Sequence, residues 1–355
     1  MEISQEHLER LASFYLTHHR DLPWRRTDDP YAIWVSEIML QQTRVEAVIG
    51  YYQRFLREFP TVADLARADE QLVLKLWEGL GYYSRARNLQ KAARLIVSEY
   101  GGRLPDTKKE LMKLPGIGAY TAGAIASIAF DRPEAAVDGN VLRVCSRLTG
   151  DERPVDLPAV KKEWNETLTA LYPVSGAGIW NQALMELGAT VCLPSGAPLC
   201  EQCPWREDCT ACRENTWGRI PAKLPKREKR VEYWTVFCIL QGSRVLLVRR
   251  PDHGLLAGMY QFPHISGALS EQEAGRELEK LGFSGTRPER LSDAVHLFTH
   301  ITWKMRGYLF RVKEDFLPDG FYPATLEQLQ TEYPMPGAQA VYRAAAEDAL
   351  AAGRI

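Results

Sequence analysis

No run of roughly eighteen apolar residues interrupts the 355-residue chain, so the sequence offers no membrane-spanning helix. Its opening, MEISQEHLERLASFYLTHHRDLPW, carries charges throughout in the pattern of an amphipathic helix, unlike the apolar core of a signal peptide. Seven cysteines, an odd number, argue against a secreted disulfide framework. Together these absences make a cytoplasmic protein without membrane partners the expectation. Net charge is missing too: 44 basic against 45 acidic side chains leave −1. Any nucleic-acid binding must therefore come from local patches and not from a field over the whole molecule. There is no internal repeat and no low-complexity tract.

What is present suggests two domains of ordinary size, soluble and globular, with 45% hydrophobic and 25% charged residues. From the N-terminus to residue 212 the pattern is helical: apolar residues recur every three or four positions in Ile33 to Tyr51, Glu70 to Leu80, Asn88 to Tyr100 and Tyr120 to Ala129. Residues 213–230 (RENTWGRIPAKLPKREKR) bring seven Lys or Arg against two Glu with no clear period, and read as a basic linker. Residues 231–355 change grammar. WTVFCILQ, a Gly-Ser turn, RVLLVRR, the helical SEQEAGRELEKLGF and the alternating HLFTHITWKMRGYLFRV predict a second, α/β or α+β domain.

Three features carry chemistry. Cys192, Cys200, Cys203 and Cys209 are separated by seven, two and five residues, a spacing at which four thiolates can close around one metal centre. An iron–sulfur cluster and zinc both suit such a donor set, and Cys212 is a possible competing ligand. Leu114-Pro115-Gly116-Ile117-Gly118-Ala119 joins two helical patterns through a turn whose glycines free backbone N–H groups to meet a phosphate at a helix N-terminus; the plain alternative is a tight helix–helix turn. Twenty residues on, Asp138 stands just ahead of another helix, a place where Asp is commonly an N-cap. Glu37 shares a helical face with Ile33, Trp34 and Leu40, so its carboxylate projects among apolar groups. Desolvation there would keep it protonated near neutrality, as a general acid requires. A surface-seeking Glu is the alternative.

Taken together, the Pro-Gly-Ile-Gly hairpin, the Asp after it and the four-cysteine loop resemble the helix-hairpin-helix DNA glycosylases of the endonuclease III superfamily. Within that superfamily Leu22-Pro23-Trp24-Arg25, the run Trp34 to Thr43, Gly79 to Ala86 and the appended domain are similar to the adenine DNA glycosylase (MutY) family, over nearly the whole chain. The resemblance implies an all-α helix-hairpin-helix glycosylase domain with a 4Fe-4S cluster loop on Cys192, Cys200, Cys203 and Cys209, followed by an α/β Nudix-like domain. It implies a monomer acting on double-stranded DNA in the bacterial nucleoid, removing adenine opposite 8-oxoguanine or guanine.

Roles follow from the same resemblance. Glu37 is the acid, Asp138 the stabiliser of the cationic sugar, Asn140 the residue that orients Asp138, and Tyr120 a lining group of the same site. Tyr120 stands where bifunctional relatives carry a nucleophilic Lys; a phenol cannot form the Schiff base, so a monofunctional enzyme is implied. Trp24, Arg25, Leu40 and Gln182 resemble the adenine pocket, Gln42 and Tyr82 the duplex wedges, and Gly116 and Gly118 the phosphate-binding hairpin. Phe298-Thr299-His300 corresponds to a Phe-Ser-His loop that reads 8-oxoguanine, with a methyl added by Thr299. Two further departures stand out. The family encloses six residues between its first two cluster cysteines where this chain has seven. The Nudix-like helix reads Glu279-Lys280-Leu281-Gly282 where paired acids would hold magnesium, implying recognition without hydrolysis.

Overall fold

The computed structural model describes residues 2–225, 228–283, 287–313 and 316–353, leaving Lys226 and Arg227 of the basic linker outside. The chain forms two compact units, residues 1–67 with 88–226, and residues 68–87 with 227–355.

The first unit is helical. Helix Pro30–Leu40 starts at an Asp29 cap whose side chain accepts from the Tyr31 amide, with Pro30 pre-set for the first turn. Every residue from Tyr31 to Met39 is buried, and so is every residue from Thr121 to Ser127 in helix Ala119–Phe130, against which it packs. Apolar composition on all sides suits helices enclosed on all sides. Helix Ala177–Thr190 touches Gln5–His18, Ala119–Phe130 and Gly139–Thr149, around a core that includes Leu11, Leu142, Leu148, Leu168, Leu184 and Leu187. Small residues set the spacing. A Cβ on Gly188 would lie 2.6 Å from the Asn140 Cβ, and one on Gly123 would lie 2.4 Å from the Ala135 carbonyl oxygen.

In the second unit a mixed sheet runs through strands Arg230–Gln241 and Ile301–Val312, paired in parallel from Arg230↔Ile301 to Gln241↔Val312. The remaining pairings are antiparallel. Alternation divides the first strand between two cores: Val236, Cys238 and Leu240 face Tyr342 and its helix, while Phe237 and Ile239 face Ala274 and Leu278. Segment 68–87 belongs here although the sequence places it in the helical half. Lys75 donates to the Leu329 and Tyr333 carbonyls, Tyr83 donates to the Met335 carbonyl, and Arg343 pairs with Glu78.

The sequence period treats Ile33 to Tyr51 as one helix, but the structure breaks it into Pro30–Leu40 and Val45–Glu58. Gln42 occupies the gap with φ +57, a left-handed conformation that stops the helix. Gly123→Ala should lower stability by ~1–3 kcal/mol, because the added methyl meets rigid backbone and not a yielding side chain. Thermal unfolding monitored by circular dichroism measures this, and an unchanged midpoint would contradict the packing described.

Candidate active site

Four segments of the first unit deliver side chains to one cavity. Helix Pro30–Leu40 contributes Glu37 and Leu40, the first turn of Ala119–Phe130 contributes Tyr120, the N-terminus of Gly139–Thr149 contributes Asp138 and Asn140, and Ala177–Thr190 contributes Gln182. Trp24, Arg25, Gln42 and Gly118 complete the expected set, and Arg20, Met185 and Glu186 join it. Glu37 and Asp138, 101 positions apart, therefore face a common space.

Glu37 is 6% exposed, and its Oε2 accepts a hydrogen bond of 2.8 Å from the Tyr120 hydroxyl. Burial pushes its carboxyl up to about 7, opposed by the Tyr120 hydrogen bond, assisted by the Asp138 charge and opposed again by Arg25. Desolvation wins, so near neutrality this carboxyl holds a proton for much of the time. Tyr120 is itself raised well above the usual phenol range, by burial and by the neighbouring Glu37 and Asp138. It remains a neutral donor.

Asp138 unites both readings of its position. It caps helix Gly139–Thr149 by accepting from the Val141 amide at 2.8 Å, while its other oxygen accepts 2.8 Å from the Asn140 side-chain amide. Burial raises its carboxyl, and the bonds from Val141 and Asn140 and the Arg143 charge pull it back. Arg143, which the sequence reading passed over, extends the chain of contacts. Its Nη2 donates to the Asn140 Oδ1 at 2.8 Å and to the Gly188 carbonyl at 2.7 Å, and its Nε to the Cys192 carbonyl at 2.8 Å. Asn140 and Arg143 are three apart on one helix, a spacing that brings side chains together.

Trp24 is 7% exposed and meets the Tyr52 ring edge-on at 5.5 Å, so it is both core and cavity wall. The hairpin forms as expected, with Ile117 buried between two exposed glycines. Gly116 needs its positive φ of +78 and passes so near Asn88 that a Cβ would lie 2.8 Å from the Asn88 Cβ. Gly118 has no neighbour within 4 Å of such an atom and caps helix Ala119–Phe130 with its N-terminus exposed. Gly116 lies outside the lining of the cavity that holds Glu37.

In the second unit Tyr82, Phe298, Thr299 and His300 line a different cavity. The Tyr82 hydroxyl and the Thr299 Oγ1 are 2.9 Å apart. Tyr82 has φ +49, so both candidate wedge residues, Gln42 and Tyr82, sit in the left-handed region that a non-glycine residue rarely enters. Arg85 supports that loop from beneath: it donates to the Leu80 and Gly81 carbonyls and lies over the Trp77 and Tyr82 rings. On helix Glu271–Lys280 Glu277 pairs with Lys280 at 2.6 Å.

Cys192, Cys200, Cys203, Cys209 and Cys212 line one small cavity, and none of them is in a disulfide. Among the described residues no three His, Cys, Asp or Glu side chains stand at metal-binding separations. The donor set nonetheless suits a cluster of soft metal ions. Arg147 donates to the Cys192 sulfur at 3.3 Å, and backbone amides of Trp205, Ala211 and Cys212 point at the sulfurs of Cys203 and Cys209. The additional residue between Cys192 and Cys200 falls in a loop where Gly196 adopts φ +74, closed by the Leu199 amide on the Val191 carbonyl. Cys145 and Cys238 are fully buried away from this cavity.

Residues 35–168 match the model of the HhH-GPD superfamily of base excision DNA repair proteins, and residues 235–344 match the NUDIX domain. The structure of a trapped endonuclease III–DNA covalent intermediate resembles the chain with TM-score 0.51 at 25% identity, covering 60% of this chain and 99% of that one. This is a DNA glycosylase of base excision repair, built as a helical helix-hairpin-helix domain with a Nudix-like domain after it. Adenine DNA glycosylase of Mus musculus is 40% identical over 84% of this chain and 69% of its own length. That of Buchnera aphidicola subsp. Baizongia pistaciae (strain Bp) is 34% identical over 80% and 81%. The chain belongs to the adenine DNA glycosylase family.

The Tyr120 hydroxyl stabilises the ionised form of Glu37, so removing it should raise the Glu37 titration midpoint. Carboxyl carbon NMR of the wild type should place that midpoint at about 7, and of Tyr120→Phe distinctly higher. A midpoint in the ordinary carboxylate range for both proteins would contradict the geometry.

Proposed function

We propose that the chain hydrolyses the N-glycosidic bond of adenine opposite 8-oxoguanine, or opposite guanine, in duplex DNA and leaves an abasic site. The observation that carries this reading is the buried Glu37, its carboxyl pushed up to about 7, sharing one cavity with Asp138 and Tyr120. A purine rotated out of the duplex enters that cavity between Trp24 and Leu40, with Arg25 and Gln182 at its edge. Glu37 gives its proton to N7 of adenine, the C1′–N9 bond breaks, and the base departs neutral. The ionised Asp138, held by Val141 and Asn140, stabilises the oxocarbenium sugar. Water then adds to C1′ and surrenders a proton to the Glu37 carboxylate. With a phenol at position 120, no imine forms there and the sugar–phosphate strand is left uncut.

Gln42 and Tyr82 serve as wedges whose strained backbone holds them out, while the N-terminus beyond Gly116 and Gly118 takes a phosphate. Phe298, Thr299 and His300 read the base opposite the adenine. The resident group is a 4Fe-4S cluster on Cys192, Cys200, Cys203 and Cys209, which when bound cross-links its loop and supplies no step of the hydrolysis. The Nudix-like domain recognises and does not hydrolyse, since Lys280 and Leu281 stand where acids would hold magnesium.

Glu37→Gln should abolish adenine release from an adenine:8-oxoguanine duplex in single-turnover assays while keeping duplex affinity; retained release would refute the acid role. Release by the wild type should require ionised Asp138 and protonated Glu37, so the rate should fall as pH rises through about 7. Borohydride should trap no covalent adduct; an adduct would point to a lyase. Protein purified without oxygen should carry about four irons per chain, with the broad visible absorbance of a cluster. Zinc in its place would overturn the cofactor assignment alone.

A further inference from the structure

In the wall of the base pocket Arg25 belongs to an ion triad whose other members, Arg20 and Glu186, the mechanism above does not use. Glu186, on helix Ala177–Thr190, is 3% exposed. Its Oε1 accepts from the Arg20 backbone amide at 2.8 Å and from the Arg20 Nε at 2.9 Å. Its Oε2 accepts from the Arg20 Nη2 and the Arg25 Nη2, both at 2.8 Å. The other terminal nitrogen of Arg25 donates to the Arg20 carbonyl at 3.0 Å, and the guanidinium lies 5.3 Å from the centre of the Tyr15 ring. Arg25 is thus fixed on three sides. The hydroxyl of Tyr15 in turn donates to the Gln182 Oε1 at 3.0 Å. Arg20, Arg25, Gln182 and Glu186 all line the cavity that holds Glu37.

We propose that Glu186 is a positioning residue of the adenine pocket, which aims the Arg25 guanidinium at the bound base and offsets part of the positive charge that Arg25 directs at Glu37. This rests on the function proposed above. Two arginines against one carboxylate leave the wall with a net single positive charge. That is enough to favour electron density flowing into the departing base, yet less than the two charges that would draw the proton off Glu37 and oppose the cationic sugar. Glu186 holds its own charge firmly: burial pushes its carboxyl up, but hydrogen bonds from Arg20 and Arg25 outweigh that and bring it down to about 2. It does not titrate where the enzyme works. The charged or titratable groups that face Glu37 are Tyr120, Asp138 and Arg25, each from a different segment, so the Arg25 field is the one Glu186 can modulate.

Single-turnover adenine release across a pH series tests this in the full-length, cluster-loaded protein. Glu186→Gln removes a negative charge with little change of shape. It should slow release at least roughly tenfold and move the high-pH fall in rate to lower pH, while duplex affinity stays within about twofold. Glu186→Asp should restore the position of that fall. Arg20→Gln, which removes one positive charge, should move it the other way, to higher pH, and this variant decides the matter if Glu186→Gln fails to fold. A merely structural Glu186 would change the rate without moving the pH profile. An unmoved profile in these variants overturns the assignment. A wild type that releases no adenine at all would instead overturn the function on which it rests.

Discussion

Taking the Glu37 carboxyl out of water is the constraint on which the rest of this molecule depends. An ionised carboxylate in an apolar helix interface is costly unless it is paired, and Glu37 has a phenol for its immediate partner and no ion pair among the described residues. The proton is therefore held by the environment. Tyr120 and Arg25 temper that effect, so the group sits near neutrality and can both give its proton and take one back. Helix Pro30–Leu40 must be enclosed on every side for this to work, and its composition of Tyr, Ala, Ile, Trp, Val and Met allows it.

The proposed mechanism sets Asp138 the opposite requirement: buried in the same cavity, it has to act as a carboxylate. Burial raises its carboxyl, and the fold opposes this by placing the residue at a helix N-terminus, where the Val141 amide and the Asn140 side chain both donate to it. Arg143 then ties Asn140 to the carbonyl of Cys192, the first cysteine of the thiol-lined loop. Gly188 permits the contact, since any side chain there would push against Asn140 and separate the two helices. Burial raises both carboxyl groups of this cavity, opposed at Asp138 by the Val141 amide, the Asn140 side chain and Arg143, and at Glu37 by the Tyr120 hydroxyl and Arg25.

Much of this was legible from residue order. Glu37 declared itself by sharing a face with Ile33, Trp34 and Leu40, and the hairpin glycines and the four thiols by their spacing. Other features left no local trace. Gln41-Gln42-Thr43 contains neither Gly nor Pro, so nothing in the period marks the helix break at Gln42; the break is imposed by packing and held at a strained φ. Segment 68–87 joins the second unit through Lys75, Glu78 and Tyr83, whose partners lie some 250 residues away and are set by tertiary contacts alone. The same holds for the parallel pairing of Arg230–Gln241 with Ile301–Val312. Glu186 was readable in one sense, four residues beyond Gln182 on the same helical face, but only Arg20 and Arg25 explain why a carboxylate belongs there.

In the proposed reaction a proton passes from Glu37 to N7 of the extruded base. A duplex in which the adenine opposite 8-oxoguanine is replaced by 7-deazaadenine, which keeps the shape of the base but has carbon in place of N7, tests it most directly. Single-turnover kinetics should show the analogue bound with the affinity of adenine yet not released; release at the adenine rate would mean that no proton on N7 is needed.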